Sequence, residues 1–152
     1  MPNYKTLETY RGVAYPWSID HMGHMNVASY TARFDEATWH FLAHLGLTPS
    51  FFKENNRGAV AADQKTQYAR EVNAGGLLHI MSQLRELGTK SIQFTHRMYD
   101  SENGELVATT DLVGVYFDTA ERKSVALPES VYERAKSLVD QGNPAPSAPT
   151  QS

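Results

Sequence analysis

The spacing of apolar residues divides the chain into one long helix and a set of strands. Val27, Tyr30, Phe34, Ala37, Phe41 and Leu45 step by three and four, which is one continuous stripe along a half-buried helix. Gly46 follows the last of them and Pro49 comes soon after, an order that ends a helix. The pattern therefore predicts α-helix from Val27 to Leu45.

Elsewhere the period is two. Ile92, Phe94, His96 and Met98 alternate with Gln93, Thr95 and Arg97, Asn103-Gly104 makes a turn, and Leu106 to Phe117 alternates again. Those two runs form a long antiparallel hairpin. Gly75-Gly76 and Gly88 bracket a further strand from Leu77 to Leu87. Tyr10 to Tyr15 reads as a short first strand that Pro16 ends, and Ala59 to Tyr68 as a strand whose pattern is weak before Thr66. Pro128, with Val131, Ala135, Leu138 and Val139 behind it, opens a short C-terminal helix. A first strand, one long helix and four or so antiparallel strands make an α+β layout in which the sheet covers the helix.

The 152 residues, 41% of them hydrophobic, suffice for one domain with its own core, placed at residues 1–140. Residues 141–152, with Pro144, Pro146 and Pro149 among small polar residues, have nothing to bury and read as a disordered tail. A net charge of −3 and scattered Lys and Arg argue against a nucleic-acid surface. The absence of cysteine removes disulfides, thiolate metal sites and a cysteine nucleophile. No stretch has the run of about 20 apolar residues of a membrane span, and Met1 to Val13 lacks the pattern of a secretory leader, so cytoplasm is the expected compartment.

The stretch richest in chemistry is Asp20-His21-Met22-Gly23-His24-Met25-Asn26, placed directly before the long helix. The orphan amides of a helix's first turn stabilise negative charge, and a neighbouring aspartate can attack a carbonyl or activate water. Asn26 sits where an N-cap side chain is expected. His24 suits orienting the carboxylate, contacting the acyl group or bracing the loop. A metal reading of Asp20, His21 and His24 as an oxygen and nitrogen cluster is the weaker alternative, and no metal is expected. Tyr30, Phe34, Trp39 and Phe41 are assigned to packing before any acyl pocket.

Taken with Tyr30 four residues on, the loop matches the pattern Asp-x-x-Gly-His-x-Asn-x-x-x-Tyr, and the chain from Tyr10 to Pro128 resembles the hotdog-fold acyl-CoA thioesterases of the 4-hydroxybenzoyl-CoA thioesterase-like branch. Supporting matches are Tyr68 to Gly75, Lys90-Ser91, Gly104 to Thr109 and Leu127-Pro128. The resemblance implies a curved antiparallel sheet wrapped around a central helix. It gives Asp20 the role of nucleophile or general base and the Val27 amide that of polarising the thioester carbonyl; Gly23 and Tyr30 of the same pattern are candidates for substrate or interface contact.

The resemblance also implies an acyl-CoA substrate, no cofactor beyond the CoA the substrate carries, and a homodimer or dimer of dimers. Asp63, Gln64 and Thr66 would face the partner's Asp20 helix. Lys65, Arg70, Lys90 and Arg97 are the candidates for the CoA phosphates, which favour Lys and Arg. Two other readings stay open: a non-catalytic acyl-CoA-binding module, and a hotdog hydratase or dehydratase, whose expected His-Phe-Pro-Gly motif is absent.

Overall fold

The computed structural model describes residues 2–140, and the tail expected to be disordered lies outside them. The predicted helix is α1, Val27–His44, and it ends where Gly46 adopts φ +86°. Around it runs one antiparallel sheet of β1 (Thr6–Val13), β2 (Arg57–Tyr68), β3 (Leu77–Leu87), β4 (Ser91–Asp100) and β5 (Leu106–Asp118), in the order β1-β3-β4-β5-β2. A two-residue β6, Lys123–Ser124, pairs with β5. The last helix, α3, Glu129–Ser137, follows Pro128 as its N-cap. The sheet curves around α1, the arrangement a hotdog fold requires.

The core lies between the inner sheet face and α1, where it divides into two clusters. Phe41, Leu42 and Leu45 pack with Leu84, Ile92, Phe94, Leu112 and Tyr116 at one end. Tyr30, Phe34 and Ala37 pack with Leu78, Ile80, Met98 and Val107 at the other, beneath the Asp20 loop. Phe34 and Phe41 are thus core, as the helical spacing required, whereas Trp39 is 42% exposed and meets Phe52 edge-on.

One element differs from its expected bounds, and two short ones were not expected. The first strand spans Thr6–Val13 rather than Tyr10 to Tyr15: its ladder ends with Val13 opposite Leu77, and Ala14 beyond it bonds the Gly75-Gly76 turn, donating to the Gly76 carbonyl and accepting the Gly75 amide, both at 2.8 Å. Pro49 does not merely follow a helix; it occupies the first turn of α2 (Pro49–Asn55), whose N-cap Thr48 accepts a hydrogen bond from the Phe51 amide at 3.1 Å. A 3-10 turn at Pro16–Ser18 also separates β1 from the loop.

Candidate active site

The Asp20 loop is a closed hairpin. The Asp20 amide donates to the His24 carbonyl at 3.1 Å, and the Gly23 amide to the Asp20 carbonyl at 3.0 Å. Gly23 takes φ +86°, a left-handed conformation that side chains other than glycine's resist. The Asp20 carboxylate accepts the Met22 amide at 2.9 Å through Oδ1, which turns its own loop. Below it, the Met25 amide donates to Val72 O at 2.8 Å and the Asn26 amide to Ser18 O at 3.0 Å. The chain enters α1 on fixed rails.

Asn26 is the N-cap. Its Oδ1 accepts the Ser29 amide at 2.8 Å, while among the described residues nothing accepts from the Val27 amide. Val27 is 63% exposed and lines the same cleft as Asp20. A carboxylate and an uncapped, positively polarised helix amide therefore share one space. Asn26→Ala should cost about 1 kcal/mol of folding stability, read by denaturant unfolding, because the Ser29 amide loses its side-chain acceptor and keeps only the Asn26 carbonyl at 3.0 Å.

The cleft has a volume of about 970 Å³. Its opposite wall is the chain after β2, pinned to α1 where the buried Tyr30 hydroxyl donates to the Arg70 carbonyl at 3.1 Å. Tyr68 meets the Tyr30 ring edge-on at 5.0 Å. Burial, before the nearby Tyr68 and Glu71, raises the Tyr30 pKa, so its hydroxyl stays a donor. His24 reaches Glu71 at 3.1 Å, and Arg70 pairs with Glu105 at 2.8 Å across the mouth. Both pairs are exposed and hold the walls only loosely.

Behind the loop lies a feature the sequence reading passed over. Arg33 is buried on α1, donating from Nη2 to Val13 O at 3.0 Å and Ser18 Oγ at 3.3 Å, and from Nη1 to Ser29 O at 3.2 Å. Its Nε has no hydrogen-bond partner among the described residues. By joining the end of β1, the 3-10 turn and the first turn of α1, it positions the loop from inside. The available signal was a charged residue within the apolar stripe, between Tyr30 and Phe34.

The structure thus gathers Asp20, His24, Asn26, Val27, Tyr30 and Arg70 around one cleft, with Gly23 in the loop beside it. The other candidates lie elsewhere in the protomer. Lys90 sits in the β3–β4 turn, and Arg97 stands on β4 with Gln83 as a neighbour at 3.3 Å. Asp63, Gln64, Lys65 and Thr66 lie on β2, an edge strand. Thr66 Oγ1 bonds Thr110 Oγ1 at 2.8 Å, and Gln64 lines a second cavity. Among the described residues no three His, Asp or Glu side chains converge as a metal site would need.

A curved antiparallel sheet wrapped around one long helix defines a hotdog protein. The chain belongs to the thioesterase-like superfamily, whose family model matches residues 15–135. It is 27% identical over 113 residues to an L-carnitine dehydrogenase/betainyl-CoA thioesterase of Agrobacterium fabrum, an alignment covering 74% of this chain and 23% of that protein. The chain therefore spans about a quarter of the length of that relative. A betainyl-CoA thioesterase of Pseudomonas aeruginosa is 22% identical over 136 residues, covering 90% of this chain and 86% of the relative. Among solved structures, a hypothetical protein of Staphylococcus aureus in complex with CoA superposes with a TM-score of 0.81 at 19% identity, over 88% of this chain and 85% of that one.

Proposed function

We propose that the chain hydrolyses an acyl-CoA thioester to a free acid and CoA, with water as co-substrate and no metal or organic cofactor. The observation that carries this reading is the uncapped Val27 amide opening on the same cleft as Asp20. A thioester carbonyl is already electrophilic and its thiolate leaves readily, so a base or nucleophile and one oxyanion donor suffice. Asp20 is the base or nucleophile and the Val27 amide the donor. The names of the thioesterase relatives support the substrate class.

The cleft carries Asp20, Glu71, Asp100, Glu102 and Glu105 against Arg70 and His24, and Arg70 is already paired. A polyanionic nucleotide is repelled by that balance, so the CoA phosphates need cations from beyond this wall. Lys65, Lys90 and Arg97 are the proposed sources, drawn from one or both protomers of a homodimer.

The dimer forms through β2. This twelve-residue strand lies at the sheet edge, and most of its side chains are exposed, Val60 and Tyr68 among them. A long, uncovered edge strand is a ready template for a second copy. Pairing there would carry Asp63, Gln64 and Thr66 toward the partner's α1. Light scattering should report twice the protomer mass, and a fully active monomer would contradict this part of the reading.

The experiment that tests the function is release of free thiol from acyl-CoAs, followed with a thiol-reactive dye. Turnover is the expected result. Tight binding of acyl-CoA without turnover would replace the enzyme with a binding module.

A further inference from the structure

A second cavity, of about 220 Å³, lies between α1 and the β2–β5 side of the sheet. Thr31, Asp35 and Trp39 of α1 and Val60 and Gln64 of β2 form its exposed rim. Its floor is apolar and buried, made of Phe34, Leu42, Phe94, Leu112 and Tyr116. Among the described residues Asp35 is the sole charged one lining it, and that side chain is on the exposed face of the helix.

Two features connect this space to the cleft. Thr31 is four residues after Val27, so the two lie on one face of α1, one turn or about 6 Å apart. A carbonyl held at the Val27 amide can thus send its chain along the helix toward the cavity. The second feature is Gly114, on the inner face of β5 between Leu112 and Tyr116. A Cβ there would sit 3.7 Å from Phe94 and 3.9 Å from the Val60 carbonyl, in ordinary contact. Backbone conformation does not demand glycine at this position; its missing side chain keeps the cavity open.

We propose that this cavity takes the aliphatic chain of the acyl group, which makes the substrate a linear acyl-CoA of medium length. The inference rests on the thioesterase reading above. At about 30 Å³ for a water-sized group, the cavity holds roughly seven methylene-sized units, and the turn from Val27 to Thr31 adds a few more. The fitting chain has roughly eight to twelve carbons. The rings of Phe34, Phe94 and Tyr116 would also attract a trimethylammonium head, so betainyl-CoA, named for the relatives, is the competing substrate.

The test measures kcat/KM for straight-chain acyl-CoAs from acetyl to palmitoyl, with betainyl-CoA beside them, on the native chain and on Gly114→Leu. The native chain should favour the octanoyl to dodecanoyl members over betainyl-CoA and acetyl-CoA by at least tenfold. In Gly114→Leu the ratio of decanoyl to butyryl turnover should fall at least tenfold. A flat native profile, or a preference for betainyl-CoA, overturns the inference while leaving the hydrolase reading intact. If Gly114→Leu does not fold, Thr31→Trp narrows the exposed rim instead and should lower the same ratio; an unchanged ratio in the folded variant also overturns the inference. If no thioester is cleaved the hydrolase reading fails, and calorimetry then decides the cavity alone. Decanoyl-CoA binding at least tenfold tighter than CoA supports the cavity, and equal affinity overturns it.

Discussion

Asp20→Asn is expected to leave the protein folded and to lower turnover by at least a hundredfold, about 3 kcal/mol of barrier. The substitution is a clean one in this structure. The Oδ1 that accepts the Met22 amide at 2.9 Å is kept by asparagine, so the turn and the Gly23 hairpin survive. Lost is the negative charge, and with it the ability to attack the thioester or deprotonate water. The Val27 amide remains, so residual turnover above the uncatalysed rate should persist. Circular dichroism with thiol release on the same preparation reads both halves. A folded Asp20→Asn protein with native turnover would remove Asp20 from the mechanism and leave it a turn residue.

The second large effect is on stability in acid, and it comes from the core. His96 is fully buried between Phe34, which stacks on it at 5.9 Å, and the edges of Phe41 and Phe94. Its Nε2 lies 2.9 Å from Thr38 Oγ1, which itself donates to Phe34 O, and its Nδ1 lies 2.5 Å from Ser82 Oγ. Thr38 has given its proton away, so Nε2 donates to it and Nδ1 accepts from Ser82. That is the neutral ring. Burial among aromatics lowers the imidazole pKa to about 3.

Since the unfolded imidazole titrates near 6.5, the unfolded chain binds this proton first as pH falls. Stability from this group is complete above about pH 6.5 and is lost progressively down to about pH 3. The expected loss is about 3 kcal/mol between pH 6.5 and 4. His79, whose pKa burial also lowers, adds to the same slope. Comparing His96→Leu with the native chain isolates the first contribution. Urea midpoints measured across that range should fall less steeply in the variant. Equal slopes would show that His96 titrates alike in both states.

The elements easiest to read were those with one wet and one dry face. α1 and the β4–β5 hairpin each bury a single face, so their periods survive in the sequence. β2 is the opposite case. It lies at the edge with most side chains exposed, so no alternation is imposed on it and its pattern is faint. α2 was hidden because a proline after a helix reads as a stop, and only Thr48 before Pro49 signals a new start. The polar residues sunk in apolar stripes, Arg33 and His96, were visible as pattern violations, but their partners come from β1, β3 and the 3-10 turn.

The site divides along the same line. Asp20, Gly23, Asn26 and Val27 fall within eight residues, and local turn and capping chemistry places them. Tyr68 at the end of β2 and Arg70 and Glu71 in the β2–β3 connection reach the cleft as a tertiary consequence of sheet order. Lys65, Lys90 and Arg97 were grouped by charge, and charge alone does not set position. Their separation follows from the different strands and turns that carry them.

The most direct measurement of the central claim is thiol release by the native chain from a panel of short, medium, long and aromatic acyl-CoAs. The expected result is hydrolysis well above the rate in buffer, saturating with substrate and accompanied by one free acid per thiol. A panel that yields no thiol, from a folded protein that still binds acyl-CoA, would contradict it.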